Sequence, residues 1–420
     1  MTLPFSTISP GIGGQIKRRY SDFIVEEVAV DGRVSEVKRY DREPLPPFEP
    51  MDIPEKPDRE VNQLHLDLEK SNTDLQWVIK QTTRFLQDSK KRFGYAGLKD
   101  KRGITCQRVS LFDPNLERLK KFHARGFYFR NPEWRRDRIE IGDLRGNRFR
   151  IVVRDIDLSE DEIRSRFRAF AAESSAHGIA NYFGEQRFGG MRNVTHLVGK
   201  KIIQNDFEGA VMTYLTLPSE GEDESTAAIR LQLAHDRDFG KALQHLDPKF
   251  RTERAMLSHL NVHPSDFVGA IQQLPKAMRY LFTHAYQSHL FNEMLARRLT
   301  PGIGLAAIPR DQLDEKGVPM LPLIGHETIL DDSPAGKMAA EILAEEGIST
   351  SQFRIVRGLP EATSKGGQKA ISLFAQDLNL VKIEDDPFYP GKKALSMSFE
   401  LPKGCYGTTV LAELQKIPEG

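Results

Sequence analysis

Gly97-Leu98-Lys99-Asp100-Lys101-Arg102-Gly103 is a charged, glycine-bounded turn between two apolar stretches, Phe93 onward and Ile104 to Ser110. Lys99, Lys101 and Arg102 crowd Asp100, and neighbouring cations favour an ionised carboxylate. Such a carboxylate is what covalent attack at a sugar carbon or a pyrimidine ring requires. Spacing alone equally fits a local ion pair or an Asx-turn. Upstream, Leu64, Leu66 and Leu68 alternate with His65 and Asp67 as in a half-buried strand. Leu75, Val78, Ile79 and Thr82 then follow helical spacing, with Asn72 or Thr73 as N-cap. Further upstream, Ile16 to Val30 reads as a strand, and Asp31 to Glu60 holds six prolines, Pro50 among them, so it reads as a loop or insertion rather than a packed element.

Downstream, Trp134 to Ile141 and Asn147 to Ile156 read as strands and Glu160 to Ser175 as an amphipathic helix carrying Ile163, Phe167 and Phe170. Next comes Asn181-Tyr182-Phe183-Gly184-Glu185-Gln186-Arg187-Phe188-Gly189-Gly190, where aromatic rings alternate with glycines, an amide and a guanidinium. Rings that stack on a base, an amide that reads its edge and a cation for phosphate suit RNA recognition. The same residues also fit a helix-to-loop transition with aromatics anchoring a core. From about Asn193 to Gly367 the pattern is largely helical, Leu281 to Leu299 most clearly. The last fifty residues return to short strands and turns, including Ala394 to Leu401 and Pro402 to Thr408. Strands, a helical block and strands again predict an α+β domain with a second domain inserted.

Composition excludes several classes. The two cysteines, Cys106 and Cys405, cannot form a disulfide scaffold or a four-thiolate zinc site. No GxxxxGK[ST], HExxH or GxSxG motif occurs, so nucleotide-loop, zinc-protease and serine-elbow chemistries are not indicated. No run of eighteen apolar residues predicts a membrane span, and Met1 to Gly11 lacks the pattern of a signal peptide, which together suit a cytoplasmic protein. Net charge is only +1, but residues 84–154 hold 20 Lys and Arg against 8 Asp and Glu, a net +12, so the rest sums to −11. That asymmetry suits a surface facing phosphates, or a solvated charged face.

The two segments together resemble the tRNA pseudouridine synthase D family. Gly97-Leu98-Lys99-Asp100 with Thr105 and Gln107 is similar to its GxKDxxxxTxQ signature, and Asn181 to Gly189 to its NYFGxQRFG signature. Asp22-Phe23-Ile24-Val25-Glu26-Glu27 resembles its DFxVxE element, and Phe399, Leu401-Pro402, Gly404, Tyr406, Thr408 and Glu413-Leu414 its closing segment. Gly407 stands where that segment often has alanine, and Ala412 where it often has arginine.

The resemblance implies an α+β fold: a pseudouridine-synthase core, with a mixed, mainly antiparallel bent sheet and flanking helices, over residues 1–192 and 368–420. It implies a largely helical α/β second domain, inserted at 193–367, that binds tRNA. It implies isomerisation of a tRNA uridine, at position 13 in the D-arm region, without cofactor or metal, by a monomer. Asp100 would be the nucleophile, attacking C1′ of the sugar or C6 of the base. Lys17 would pair with it, Lys99 would flank it, and both would belong to the substrate-binding set. Phe183 would stack on the target base, Asn181 would hydrogen-bond base or ribose, and Phe23 and Phe399 would wall the pocket. Two other readings stand beside this one: a non-catalytic tRNA-binding or chaperone protein on the same fold, and a carboxylate glycosidase or nucleosidase. The glycosidase class usually needs a second acid, and neither motif offers one.

Overall fold

The computed structural model describes residues 3–48, 51–219, 221–299, 303–355 and 358–417. Its strands, in chain order, are β1 (Phe23–Val28), β2 (Gln63–Ser71), β3 (Phe93–Tyr95), β4 (Ile104–Phe112), β5 (Phe127–Arg135), β6 (Gly146–Ile156), β7 (Ile179–Ala180), β8 (Gln312–Leu313), β9 (Pro319–Leu323), β10 (Gly367–Ala370), β11 (Ser372–Leu373), β12 (Gln376–Asp385) and β13 (Lys393–Pro402). Two compact units emerge, one of residues 7–178 and 374–420, the other of residues 1–6 and 179–373.

The first unit is built on an eight-stranded sheet ordered β12-β13-β6-β1-β4-β2-β5, with β3 also paired to β4. Only β1 and β4 run parallel; the other pairs are antiparallel. Leu64, Leu66 and Leu68 pack with Val109, Leu111, Phe127 and Phe129 and with Leu75, Val78 and Ile79 of the helix Leu75–Leu86. That helix is capped by Asp74, whose carboxylate accepts the Gln76 and Trp77 N–H groups, rather than by Asn72 or Thr73. Asn72 instead has a left-handed backbone, and the Thr73 hydroxyl donates to Ser71 O. The helix Glu160–His177 begins at a Ser159–Glu162 capping box and buries Ile163, Phe167 and Phe170 as its spacing predicts.

Three expectations from the sequence are corrected. The strand expected over Ile16 to Val30 is confined to Phe23–Val28, because Lys17 has φ +60° and a 3-10 turn occupies Tyr20–Asp22. The strand expected over Trp134 to Ile141 ends at Arg135. Phe127 and Phe129 draw the earlier residues into the core, and the Asp143 carboxylate then turns the chain by accepting the Glu140 N–H. The closing segment becomes a helix, Gly407–Gln415.

The proline-rich stretch is anchored rather than loose. Glu26 of β1, Cys106 of β4 and Glu69 of β2 form one row across the sheet. Glu69 accepts the N–H groups of Lys38, Arg39 and Tyr40 at 2.9, 2.9 and 2.7 Å, and Glu26 accepts that of Val37 at 2.8 Å. Both carboxylates are buried, and these bonds offset the cost of desolvating them. Pro50 lies outside the described residues.

Segments from both ends of the chain also meet. Ile12 and Gly13 N–H groups donate to Leu414 and Gln415 carbonyls, and Glu413 accepts from the Thr7 hydroxyl at 2.9 Å.

The second unit is largely helical, with a three-stranded sheet β10-β9-β8 and the pair β11-β7. Its longest helix, Lys276–Arg298, buries Tyr286, Leu290, Phe291 and Leu295. Ala180 faces Ser372 and Ile179 faces Leu373 across the β7–β11 pair, so the entry and exit of this stretch lie side by side. Residues 179–192, placed with the sheet core by the sequence reading, pack with the helical unit instead. Tyr182 is part of the apolar cluster around Tyr286, Leu290 and Phe291. No described helix is long and apolar enough to cross a membrane.

Candidate functional site

Asp100 sits in the loop between β3 and β4, and side chains distant in sequence fix that loop. Register places Phe399, Phe149, Val25, Thr105, Lys70 and Phe127 in one row across β13, β6, β1, β4, β2 and β5. Side chains alternate along a strand, so this row lies on the face opposite the Glu26–Glu69 row. Lys70 Nζ donates to the Asp100 carbonyl at 2.8 Å, and Gln107 Nε2 donates to the Gly97 carbonyl at 3.0 Å.

Lys70 is fully buried. Burying an ammonium costs on the order of several kcal/mol, so the carbonyl bond to Asp100 is the reason such a residue can persist there. Burial pulls its pKa down to about 8, while Asp100 and Asp74 oppose the fall and Lys99 adds to it.

The Asp100 carboxylate is reached by Lys17, with Nζ 3.9 Å from Oδ2 and the two side chains 15% and 25% exposed. The Lys17 ammonium also lies 4.0 Å from the Phe23 ring centroid, and Arg102 donates to the Lys17 carbonyl at 3.0 Å. The left-handed turn at Lys17 therefore brings a cation from far upstream to the aspartate. Lys99, adjacent in sequence, points elsewhere. Its ammonium is 2.7 Å from Glu27 Oε2 in a buried pair. Burial raises the Glu27 carboxyl pKa, and Lys99 opposes that rise.

Phe23 and Phe399 are both buried, with Phe149 between them. Phe149 stacks on Phe399 at 5.0 Å and meets Phe23 edge-on at 6.3 Å. A Cβ on Gly407 would stand 2.7 Å from the Phe149 ring, so glycine at this position leaves the room that Phe149 occupies.

Asn181 and Phe183 form a second cluster, in the helical unit. The Asn181 N–H donates to Ile371 O at 2.8 Å, and its Nδ2 donates to Ala370 O at 3.0 Å. Lys369 Nζ donates to the Asn181 carbonyl at 2.6 Å. Asn181 Oδ1 is buried and accepts no hydrogen bond among the described residues. Asn292 clamps Phe183 by accepting its N–H at 2.8 Å and donating to its carbonyl at 2.9 Å. The Phe183 ring is half-buried, edge-on to Phe291 at 5.5 Å, with the Lys369 ammonium 4.9 Å and the Arg187 guanidinium 5.6 Å from its centroid.

Structure thus brings together Lys17, Phe23 and Asp100, and separately Asn181 and Phe183. It commits Lys99 to Glu27 and Phe399 to an aromatic stack. Lys70 and Lys369 escaped the sequence reading, since a side chain that grips a backbone carbonyl leaves no spacing signature. Among the described residues, no three His, Cys, Asp or Glu side chains gather as a metal site.

A family model described as tRNA pseudouridine synthase D matches residues 2–316 and 305–414. A probable tRNA pseudouridine synthase D of Methanococcoides burtonii is 32% identical, covering 98% of this chain and 95% of that protein. Another, of Methanopyrus kandleri, is 36% identical over 83% of this chain and 84% of its own length. The crystal structure of the putative tRNA pseudouridine synthase D of Methanosarcina mazei superposes with a TM-score of 0.77 at 31% identity, covering 99% of both chains. A match of this extent, in sequence and in fold, places the chain in the tRNA pseudouridine synthase D family.

Proposed function

We propose that this protein isomerises uridine to pseudouridine in tRNA, at position 13 of the D-arm region, with Asp100 as nucleophile. The observation that carries the reading is the Asp100 carboxylate, partly exposed beside the Lys17 ammonium on a loop gripped from below by Lys70. The carboxylate attacks the ribose at C1′ or the base at C6. The bond between N1 and C1′ breaks, the uracil rotates, C5 joins C1′, and the bond from Asp100 to C1′ or C6 breaks in turn and returns the free carboxylate. C5 gives up its proton and N1 regains one, so the product is an isomer of the substrate. Phe183 supplies the stacking surface and Asn181, with its open side-chain oxygen, the hydrogen bond that the motif implies. Lys99 serves the loop through Glu27, and Phe399 serves the wall through Phe149. Flipping the target out of its stack costs a few kcal/mol, which aromatic contacts offset. The helical unit grips and chooses tRNA, and the enzyme works as a monomer in the cytoplasm.

Incubation of unmodified tRNA with the protein tests this. Pseudouridine without free uracil is the expected outcome. Free uracil would identify a glycosidase, and neither product a binding protein.

A further inference from the structure

A cavity of about 320 Å³ opens at the β5 edge of the sheet unit, and none of the site residues assigned above lines it. Arg39, Phe48, His123, Arg125, Phe127 and Tyr128 line it. Phe48 meets His123 at 5.7 Å and Tyr128 edge-on at 5.9 Å, and the Arg39 guanidinium lies 5.4 Å from the Tyr128 ring centroid. Phe48 is 44% exposed, and His123 and Arg125 are exposed as well.

The walls are fixed before any ligand arrives. Glu69 holds the Arg39 and Tyr40 N–H groups, and Arg39 Nη1 donates to the Pro47 carbonyl at 2.8 Å. The opposite wall is β5 itself, with Tyr128 paired to Glu69 and Phe127 paired to Lys70. Lys70 in turn holds Asp100. Tyr128, like Glu69, points to the face opposite Lys70, so the cavity lies at the sheet edge mainly on the Glu69 face of the same unit.

We propose that this cavity holds a second unstacked nucleotide of the tRNA substrate, distinct from the target uridine. Phe48 and His123 offer faces for the base, and Arg39 and Arg125 offer two guanidinium groups for its phosphate. Flat rings interleaved with cations are the means by which single-stranded nucleic acid is held, each stacked base being worth about 1–3 kcal/mol. His123, Arg125 and Tyr128 lie within the net +12 stretch of residues 84–154, which favours a nucleotide carried by a polyanion over a free one.

This inference rests on the tRNA reading above, and the test separates the two. Unmodified tRNA is titrated against wild type, Phe48→Ala, Arg125→Gln and the double variant, and turnover is measured at saturating tRNA. Phe48→Ala is expected to raise Kd about tenfold at unchanged salt slope, in line with the loss of one stacked base. Arg125→Gln is expected to reduce the salt slope by about one. Both losses should fall on Kd rather than on kcat. A double variant whose Kd stays within twofold of wild type overturns the proposal. So does binding of millimolar UMP or AMP that is lost in Phe48→Ala yet leaves the Kd for tRNA unchanged in wild type, because the occupant is then a free nucleotide. Failure of the wild type to form pseudouridine overturns the proposed function and leaves this binding series readable.

Discussion

The loop around Asp100 and the segment around Asn181 lie in different units, yet each is held in the same way. A lysine from a strand, Lys70 in one and Lys369 in the other, donates to the backbone carbonyl of the motif residue. The two lysines then differ. Lys70 is fully buried and its ammonium serves the Asp100 loop. Lys369 is half-buried, and its ammonium also lies over the rings of Phe183 and Phe291. On the proposed reading, one lysine sets the position of the reacting group, whereas the other joins positioning to the aromatic surface on which RNA would stack. Substitutions in the first should therefore cost rate, and substitutions in the second should cost binding as well.

The largest effect expected is that of Asp100→Asn. An amide keeps the shape and removes the nucleophile, so turnover should vanish while tRNA affinity stays within a few-fold. Residual turnover above about one percent of wild type would remove Asp100 from that role.

Lys70→Met should lower kcat about a hundredfold and leave Kd for tRNA nearly unchanged, the scale on which small misplacement of a reacting group acts. Its pH signature is distinctive. With a folded pKa near 8 against an ordinary 10.5, the unfolded chain binds the proton more tightly between those values. Lys70 therefore destabilises the fold most below pH 8, and its contribution to stability rises with pH from about 8 to 10.5. Over the lower part of that window the ammonium is lost and its grip on the Asp100 carbonyl weakens. Asp100 and Asp74 favour the charged form and Lys99 disfavours it. The wild type should thus lose kcat above pH 8 while its Tm, corrected by that of Lys70→Met, moves upward. A kcat limb near pH 8 that persists in Lys70→Met would show that another group titrates there.

In the second cluster, Phe183→Ala should weaken kcat/KM about tenfold to a hundredfold and Phe183→Tyr only slightly, since stacking tolerates a hydroxyl. Equal activity of the two variants would take Phe183 out of the base contact. Lys369→Met should raise KM as well as lower kcat, unlike Lys70→Met; a pure kcat effect would erase the distinction between the two lysines.

The smallest effect concerns Arg135, Arg136 and Arg138. These arginines belong to the basic window, but they pair with Glu133, Glu60 and Glu140. Changing all three to Ser should reduce the slope of log K against log salt by less than one, because paired cations release few counterions. A reduction of two or more would mean that tRNA breaks these pairs.

Much of this architecture is written in local patterns. Alternation at Leu64–Leu68, helical spacing at Leu75–Thr82 and the Ser159–Glu162 box specify elements that the structure contains. The two motifs likewise point to Asp100 and Phe183. What escapes the sequence is direction. Lys99 touches Asp100 in the chain and turns to Glu27 in space, while Lys17 arrives from eighty residues upstream. The net +12 of the basic window says nothing about pairing, and Arg108, Arg148, Arg150 and Arg154 prove to be bonded to Asp67, Glu26 and Asp22. Charge counts add along a chain, but only register decides which charges cancel.

The sheet unit is closed by strands that the ribosome makes after the whole interrupting stretch. β6 must wait for β13, and Ile12 and Gly13 must wait for Leu414 and Gln415, across the whole stretch 179–373. Those 195 residues take about 10–40 s to synthesise at common rates of elongation. Apart from residues 1–6, the helical unit is continuous in sequence and has its partners as soon as it emerges. The order of settling is therefore the reverse of the order in which the chain begins: the interrupting unit can settle first, while an edge of the interrupted sheet stays open to chance pairing until β13 has been made.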